Sequence, residues 1–323
     1  MKKSTQVNLC IVGMPKAGTT SLHRYLSGHP DIVMSTDKEP HFFSVDLLQE
    51  GADFHGFGKY TRYPTLADYL SIFNVHQEKI IGEASVFYLF SKAAAKELYA
   101  HNPAMKIIIM LREPVAFLYS LHSQGLYSGN ETQSDFATAL NLEEHRRQGK
   151  HLPSTVHFPS RLFYREHWKV AEQIQRYLDV FPKKQIHIIL FDDFKNHTER
   201  EFKKVLTFLD VDSQYQPDLA NHNPNTRMRS QRLARIIQDP THPITAFAKR
   251  TLPKKLWRRG KVILKKINTN TDPRAPLDDQ LQKELQVEAH AQILALENLL
   301  HQEGFLESHR SLLKIWKYPT SSM

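Results

Sequence analysis

The chain has 323 residues, of which 41% are hydrophobic and 24% are charged, which is ordinary usage for a globular protein. Its formal net charge of +9 favours anionic ligands but does not choose among nucleotides, nucleic acids, sulfated glycans and anionic lipids. The single cysteine, Cys10, excludes an intrachain disulfide and favours a cytoplasmic location.

The apolar runs of the sequence are all short. Residues 9–12 are too few for the core of a signal peptide, and no run approaches the length of a membrane-spanning helix. We therefore predict neither a cleaved leader nor a transmembrane segment. The length suits one large domain, so we predict a single domain over 1–323, with its core at 7–232 and a basic, helical C-terminal part at 233–323.

Apolar runs alternate with helical periodicities along the chain. Continuously apolar segments predict buried strands at 7–12, 79–82, 106–111 and 185–191. Periodic segments predict helices at 19–27, 91–101, 162–181, 198–209 and 277–301, and one more with Pro114 in its first turn. This alternation indicates an α/β fold, doubly wound, with a mainly parallel sheet and helices on both faces. Such sheets bind ligands at the carboxyl ends of their strands.

A phosphate-binding loop is predicted directly after the first strand, in the run GMPKAGTTSL at residues 13–22. Gly13 and Gly18 have the spacing of the glycines in nucleotide-triphosphatase loops, but Thr19 stands where that motif has its lysine. The lysine of this run is Lys16, which can neutralise an anion held by the amides at the start of the following helix. The predicted anion-binding residues are Lys16, Ala17, Gly18, Thr19, Thr20 and Ser21.

Residues 15–22 match the pattern PKxGTTxL, which resembles the 5′-phosphosulfate loop of sulfotransferases that use 3′-phosphoadenosine 5′-phosphosulfate (PAPS). The resemblance implies a P-loop-like sulfotransferase fold, PAPS as the sulfuryl donor and adenosine 3′,5′-bisphosphate as the product. It also implies direct in-line transfer to a hydroxyl or amine, with Lys16 as a catalytic residue that stabilises the phosphosulfate.

The run KEPHFFS at residues 38–44 brings a carboxylate, a histidine and two phenylalanines together. It is similar to the KExHFF run that many carbohydrate-type and bacterial sulfotransferases carry at this distance after the loop. The resemblance implies that Glu39 is the catalytic base, with His41 as the alternative. Because Pro40 follows Glu39, we expect an extended backbone at Glu39, and we expect the two phenylalanines to raise its pKa.

The run GEASVFY at residues 82–88 departs from one subgroup of the family. Heparan sulfate enzymes have EKSxxYF or EKTxxYF there, and Ala84 stands in place of that lysine, which leaves Lys16 as the candidate catalytic lysine. Glu83 and Tyr88 either line the acceptor cleft or pack at the end of the strand, and the sequence does not decide between the two.

Arg112 stands at the end of the predicted strand 106–111, and Ser120 follows it by eight residues. A guanidinium in this place can hold a phosphate through two parallel hydrogen bonds. The pair resembles the family's 3′-phosphate motif, which implies that Arg112 and Ser120 bind the phosphate that distinguishes PAPS from ATP. The alternative for Arg112 is a salt bridge with Glu113 or Asp192.

Two basic segments follow in the C-terminal half of the sequence. Residues 222–232 lie where members of the family have a loop over the nucleotide, so Arg227 and Arg229 are candidate ligands of the 3′-phosphate, with a solvated loop as the alternative. Residues 249–266 mix basic and apolar side chains, which suits peripheral contact with an anionic membrane or an acidic acceptor. A solvated helix face is the alternative there.

No metal-binding or nucleic-acid-binding motif occurs in the sequence, so we predict neither partner. The resemblance favours a carbohydrate or a small metabolite as the acceptor, and the oligomeric state cannot be read. Two other functions stay open. One is a P-loop kinase or nucleotidase that uses ATP and magnesium, with Asp192 as a metal ligand. The other is a catalytically silent nucleotide-binding protein.

Overall fold

The computed structural model describes residues 6–56, 58, 61–219, 227–228, 245, 260, 263–264, 267, 269–270 and 275–319. Its main sheet has five strands, each parallel to its neighbours. These strands are β1 (Leu9–Gly13), β2 (Ile32–Met34), β3 (Ile80–Ala84), β4 (Lys106–Leu111) and β5 (Ile186–Leu190). They lie in the order β2-β3-β1-β4-β5. The predicted α/β fold with a parallel sheet is confirmed.

Helices follow the strands along the chain. The α-helices of the described residues are α1 (Thr19–Ser27), α2 (Val45–His55), α3 (Leu66–Leu70), α4 (Phe87–Phe90), α5 (Ala94–His101), α6 (Pro114–Ser128), α7 (Phe136–Asn141), α8 (Glu143–Arg147), α9 (Val170–Leu178), α10 (Phe191–Asn196), α11 (Thr198–Leu209), α12 (Asp279–Gln302) and α13 (Leu312–Ile315). Short 3-10 helices lie at Pro159–Leu162, Tyr164–Trp168 and Lys183–Gln185. A separate antiparallel pair joins β6 (Arg227–Met228) and β7 (Thr269–Asn270).

The sheet is buried because its strands consist almost entirely of apolar residues. Every residue of β1 and β3 is buried, and so is all of β4 except Lys106. Helix α1 occupies the predicted range and buries one face, formed by Thr19, Leu22, Tyr25 and Leu26. A parallel sheet with helices packed on it gives strands that read as continuous apolar runs, which is why the sequence located four of the five strands. The exception is β2, which was not predicted and has only three residues.

The segment predicted as one helix over 162–181 is different in the structure. It forms 3-10 turns first, and α9 begins only at Val170, because Lys169 has a non-helical backbone. In the turn before it, His167 stacks on Phe90 with ring centroids 4.1 Å apart, and Trp168 is buried. These contacts fix side chains that a continuous helix would arrange differently.

Helix α5 begins three residues later than predicted. The segment before it is held by Ser91, whose Oγ accepts hydrogen bonds from the amides of Ala93 and Ala94. The same hydroxyl donates to Asp46.

The chain forms two compact units. The first comprises Met1–Phe117, Glu166–Asn223 and Gln282–Met323, and it contains the parallel sheet; the second comprises Leu118–Arg165 and Pro224–Leu281. The single domain remains a prediction. In the part of the chain that the structure describes, no helix is both long enough and apolar enough to cross a bilayer.

Candidate active site

The strand order brings three strand ends together within the first unit. Strand β1 lies between β3 and β4, so the segments that follow these three strands meet at one edge of the sheet. The connection that leaves β1 leads to β2 on one side, and the connection that leaves β4 leads to β5 on the other side. Open α/β sheets bind ligands where the direction reverses in this way, here between the ends of β1 and β4. The loop after β1, Glu39, Glu83, Tyr88 and Arg112 all belong to this unit.

The loop after β1 depends on two glycines. Gly13 has a φ of +143°, and a Cβ atom there would lie 2.3 Å from the carbonyl oxygen of Met110 on β4, so no other residue fits without displacing that strand. Gly18 has a φ of +93° and precedes α1, where its carbonyl accepts hydrogen bonds from the amides of Ser21 and Leu22. The predicted turn from strand to helix is therefore present.

The start of α1 is suited to an anion. Among the described residues, the amides of Gly18, Thr19 and Thr20 donate no hydrogen bond, and the first turn of α1 contains no acidic side chain. Lys16 is exposed beside them, with a left-handed φ of +67°. Free amides at the positive end of a helix dipole, with a lysine nearby, fit a phosphate or sulfate group.

Arg112 lies directly against this loop. Its Nη1 donates to the carbonyl oxygen of Lys16 at 3.0 Å, and its guanidinium carbon lies 5.0 Å from the centroid of the Phe191 ring. No ion pair of Arg112 with Glu113, Asp192 or any other described acidic residue occurs. The alternative of a salt bridge at Arg112 is therefore wrong, and the arginine contributes a positive charge to the edge that holds the loop.

The Glu39 segment is attached to the end of β3. The amide of Glu39 donates to the carbonyl of Ala84 at 3.0 Å, and Oε2 of Glu39 accepts from the amide of Val86, also at 3.0 Å. Two basic side chains lie beside the carboxylate: Nζ of Lys38 is 2.5 Å from Oε1, and Nε2 of His41 is 3.7 Å from Oε2. The Glu39 side chain keeps 27% of its surface exposed, so the carboxylate is fixed but accessible.

Two expectations about Glu39 are wrong. Its backbone is left-handed rather than extended, with a φ of +59°, and His41 has the same value. Left-handed conformations are unfavourable for residues other than glycine, and the hydrogen bonds of Glu39 to Ala84 and Val86 compensate for that cost. Such backbone strain is typical of functional sites.

The pKa of Glu39 is lowered, not raised. Burial raises the pKa of this carboxyl group, but the charges of Lys38 and His41, with hydrogen bonds from Lys38 and the Val86 amide, outweigh burial. The phenylalanines do not dominate, because they pack elsewhere: Phe42 stacks on Tyr69 with centroids 4.7 Å apart. Glu39 is therefore ionised at neutral pH, as a base must be.

Glu83 and Tyr88 do not line an open cleft, since both are fully buried. Glu83 accepts hydrogen bonds from Tyr69 at 2.9 Å, Tyr88 at 3.0 Å and Ser85 at 2.7 Å. Tyr88 in turn accepts one from the amide of Phe43 at 3.0 Å. Burial raises the pKa of Glu83 to about 7 despite these bonds. Glu83 and Tyr88 therefore pack at the end of the strand. Their hydrogen-bond network reaches the segment that carries Glu39 through the amide of Phe43.

The other predicted site residues are Ser120, Arg227 and Arg229, and the structure describes only part of them. Ser120 is buried on α6, two turns after its start, in the second unit. Arg227 belongs to β6, of which only the backbone is described, and Arg229 lies outside the described residues. The same holds for nearly all of the basic segment 249–266. No cluster of three metal-ligating side chains occurs within the described residues, and the absence of a metal stays a prediction.

Sequence reasoning missed the partner of the candidate base. Lys38 is a neighbour of Glu39 in the chain, and adjacent side chains of an extended segment point in opposite directions. Only the left-handed turn at Glu39 brings Lys38 to 2.5 Å from its carboxylate. The signal in the sequence was the basic residue before the glutamate, which could not be interpreted without the backbone.

The chain is similar to known sulfotransferases in sequence and in structure. The family model described as "Sulfotransferase domain" matches residues 7–254. Carbohydrate sulfotransferase 15 of Mus musculus is 30% identical over 293 residues, which cover 73% of this chain and 49% of the relative. Heparan sulfate glucosamine 3-O-sulfotransferase 5 of Mus musculus is 26% identical, over 62% of this chain and 52% of the relative. The chain thus spans about half the length of these curated relatives.

A solved structure matches nearly the whole chain. The sulfotransferase from Alicyclobacillus acidocaldarius aligns with a TM-score of 0.68 and 29% sequence identity. The alignment covers 97% of this chain and 99% of that one. The similarity therefore extends beyond the anion-binding loop to the fold that carries it.

Proposed function

Because the chain belongs to the sulfotransferase family, we propose that it transfers a sulfuryl group from PAPS to a hydroxyl or amine of a carbohydrate or small metabolite. Family membership gives the reaction class, an enzyme that transfers sulfate. The donor and the acceptor are inferences from the site.

One contact carries the inference about the donor, the 3.0 Å hydrogen bond from Arg112 to the carbonyl of Lys16. It joins the two features of this unit that suit anions, the loop before α1 and the guanidinium at the end of β4. A nucleotide with a 5′-phosphosulfate and a 3′-phosphate offers two anionic groups to such a pair. Ser120 and Arg227 remain candidates for the 3′-phosphate, and Arg229 is proposed from the sequence alone.

The chemistry required of the chain is proton removal and charge stabilisation. Glu39 is held in place, ionised and partly exposed, so it can accept the proton of an attacking hydroxyl or amine. Lys16 and the amides of Gly18, Thr19 and Thr20 would stabilise the charge that develops on the leaving phosphate. His41 lies next to Glu39 and remains the alternative base. Direct in-line transfer needs no covalent intermediate with the enzyme.

Two observations support a carbohydrate acceptor. Relatives that match the chain are named for carbohydrate and heparan sulfate glucosamine substrates, although the chain spans about half of their length. The formal net charge of +9 also favours acidic partners such as sulfated glycans. A small metabolite is the alternative, and the cytoplasmic location stays a prediction.

Ligand-dependent thermal stability tests the donor. Adenosine 3′,5′-bisphosphate should raise the melting temperature in the absence of magnesium, because it binds the native state, whereas AMP should raise it much less. Arg112→Ala should remove most of the bisphosphate effect. Arg200→Ala is the matched control, since Arg200 is an exposed arginine of α11 in the same unit.

The opposite result is equally clear. A rise with ATP and magnesium but not with the bisphosphate would contradict a PAPS site and favour a kinase or nucleotidase. Binding of the bisphosphate without sulfuryl transfer from PAPS to any carbohydrate or metabolite in an acceptor panel would favour a silent nucleotide-binding protein.

A further inference from the structure

Two acidic residues lie beside Arg112: Glu113 follows it in the chain, and Asp192 follows Phe191, whose ring contacts the Arg112 guanidinium. Burial lowers the pKa of the Arg112 guanidinium, and the charges of Glu113 and Asp192 act in the opposite direction. An arginine with carboxylates nearby can form an ion pair with one of them, which would occupy the groups that bind phosphate. In this structure Arg112 pairs with neither, so something else must satisfy the two carboxylates.

Both oxygens of the Glu113 carboxylate accept hydrogen bonds from other donors. Its Oε1 accepts hydrogen bonds from the amide of Val115 at 2.8 Å and from the hydroxyl of Tyr318, and its Oε2 accepts from the amide of Ala116 at 2.5 Å. Burial and the charge of Glu113 raise the pKa of Tyr318, so its hydroxyl keeps its proton and donates a hydrogen bond to the carboxylate. Tyr318 is 5% exposed and therefore packed in place.

The carboxylate of Asp192 is engaged by the same part of the chain. Its Oδ2 accepts a hydrogen bond from Nε1 of Trp316 at 3.0 Å, and Trp316 is also 5% exposed. Arg310 fixes the same C-terminal segment to Asp193, the residue after Asp192. Both terminal nitrogens of Arg310 lie 2.9 Å from the two oxygens of Asp193. Residues 310–318 thus bind the acidic side chains around Arg112 from more than 100 positions away in the chain.

Arg112 itself is left with donors to spare. Among the described residues its guanidinium makes one hydrogen bond, from Nη1 to the carbonyl of Lys16, and a contact with the Phe191 ring. A guanidinium has five N–H donors in a planar fork. The remaining donors are available to an anion that binds next to the loop.

We propose that residues 310–318 form a C-terminal clamp, in which Trp316 and Tyr318 hold Asp192 and Glu113 and thereby keep Arg112 available for the 3′-phosphate of the donor. This inference rests on the proposed function, since it concerns the same phosphate. Trp316 and Tyr318 are positioning residues, because they act through the carboxylates and Arg112. All of these residues belong to the first unit.

The test compares the affinities of two nucleotides that differ by the 3′-phosphate. Dissociation constants of adenosine 3′,5′-bisphosphate and of AMP are measured by titration calorimetry for the full chain and for Tyr318→Phe and Trp316→Phe. Each variant should bind the bisphosphate about tenfold more weakly, the scale of one charge-assisted hydrogen bond, because a released carboxylate competes for Arg112. AMP affinity should not change.

Matched variants separate this role from a structural one. Trp168→Phe is the control for the smaller ring, because Nε1 of Trp168 has no hydrogen-bond partner among the described residues. Trp316→Phe combined with Asp192→Asn should recover the wild-type ratio of the two affinities, because an amide does not form an ion pair with Arg112. Tyr318→Phe with Glu113→Gln should do the same. If Trp316→Phe does not fold, Tyr318→Phe still tests the clamp, because it removes only a single oxygen.

The outcomes distinguish the two proposals. No binding of the bisphosphate to the wild-type chain contradicts the proposed function itself. If the wild-type chain binds it and both phenylalanine variants keep the wild-type ratio, the clamp is overturned while the donor site stands. Equal losses for both nucleotides, or no recovery in the double variants, indicate a purely structural segment and also overturn the clamp.

Discussion

At the scale of single residues, the site is organised by charges held in unusual backbone positions. Lys16, Glu39 and His41 all have left-handed φ values between +59° and +67°, which are rare for residues with side chains. At Glu39 the turn brings a lysine and a histidine to one carboxylate. The result is a carboxylate with a lowered pKa that is fixed on both sides by hydrogen bonds.

The catalytic role of Glu39 can be tested by an isosteric change. Glu39→Gln should reduce sulfuryl transfer by at least about 100-fold, because an amide cannot accept the acceptor's proton. Affinity for adenosine 3′,5′-bisphosphate should change little, since Glu39 is not among the proposed phosphate ligands. Glu97→Gln, a change at an exposed glutamate of α5, is the control. Turnover like that of the wild type in Glu39→Gln would remove Glu39 from the mechanism and favour His41.

The influence of Lys38 should appear in the pH profile. Lys38 lowers the pKa of Glu39, and transfer requires the ionised form, so activity falls when the pH drops through that pKa. Lys38→Met removes the attraction, which raises the pKa and moves the acidic limb of kcat/KM to higher pH. The limb should stay in place in Lys92→Met, which changes an exposed lysine. A limb that does not move in Lys38→Met would show that the contact has no effect on catalysis.

At the scale of elements, β3 is the support of the candidate base. Its end accepts the amide of Glu39, and the buried Glu83 next to that end collects the hydroxyls of Tyr69, Tyr88 and Ser85. The hydroxyl of Tyr88 also accepts a hydrogen bond from the amide of Phe43, four residues after Glu39. A polar side chain in an otherwise apolar strand thus holds the loop that carries the chemistry.

In the second unit, α8 is anchored by a buried ion pair. Both terminal nitrogens of Arg146 donate to Glu131 at 2.8 Å, and Tyr164 donates to the same carboxylate at 2.8 Å. Arg146 and Glu131 are 1% and 0% exposed. Water therefore cannot reach the ion pair to take the place of a lost partner.

Breaking this pair should destabilise the protein strongly. Arg146→Met should lower the free energy of unfolding by about 3 kcal/mol, because it leaves the charge of Glu131 buried without its cation. Urea denaturation followed by circular dichroism measures the change. Lys79→Met breaks the exposed pair with Asp210 and should change the free energy of unfolding far less, because water screens and replaces that pair. Similar losses in the two variants would contradict the importance of burial.

At the scale of the whole molecule, charge and chain connectivity matter most. A formal net charge of +9 raises the local concentration of anions, which suits an enzyme whose proposed donor and product are both anionic nucleotides. The first unit is assembled from three separate stretches of the chain, and the last of them carries the C-terminal clamp. The charges around Arg112 therefore depend on a segment about 200 residues later in the sequence.

The amino-acid sequence alone predicts the elements that depend on neighbouring residues. Continuous apolar runs identified β1, β4 and β5, and α1 and the start of α6 followed from periodicity and Pro114. The loop at residues 13–18 was readable because its glycines are required where the backbone has positive φ or approaches another strand. These are local constraints, and a sequence states them directly.

The electrostatics of the candidate site, in contrast, follow from contacts between residues that are far apart in the chain. The lowered pKa of Glu39 and its left-handed backbone depend on hydrogen bonds to Ala84 and Val86, more than 40 residues away. The absence of an ion pair at Arg112 depends on Trp316 and Tyr318, which take up the competing carboxylates. A charge responds to everything within several ångströms, whatever its distance along the chain, and only the fold sets which groups those are.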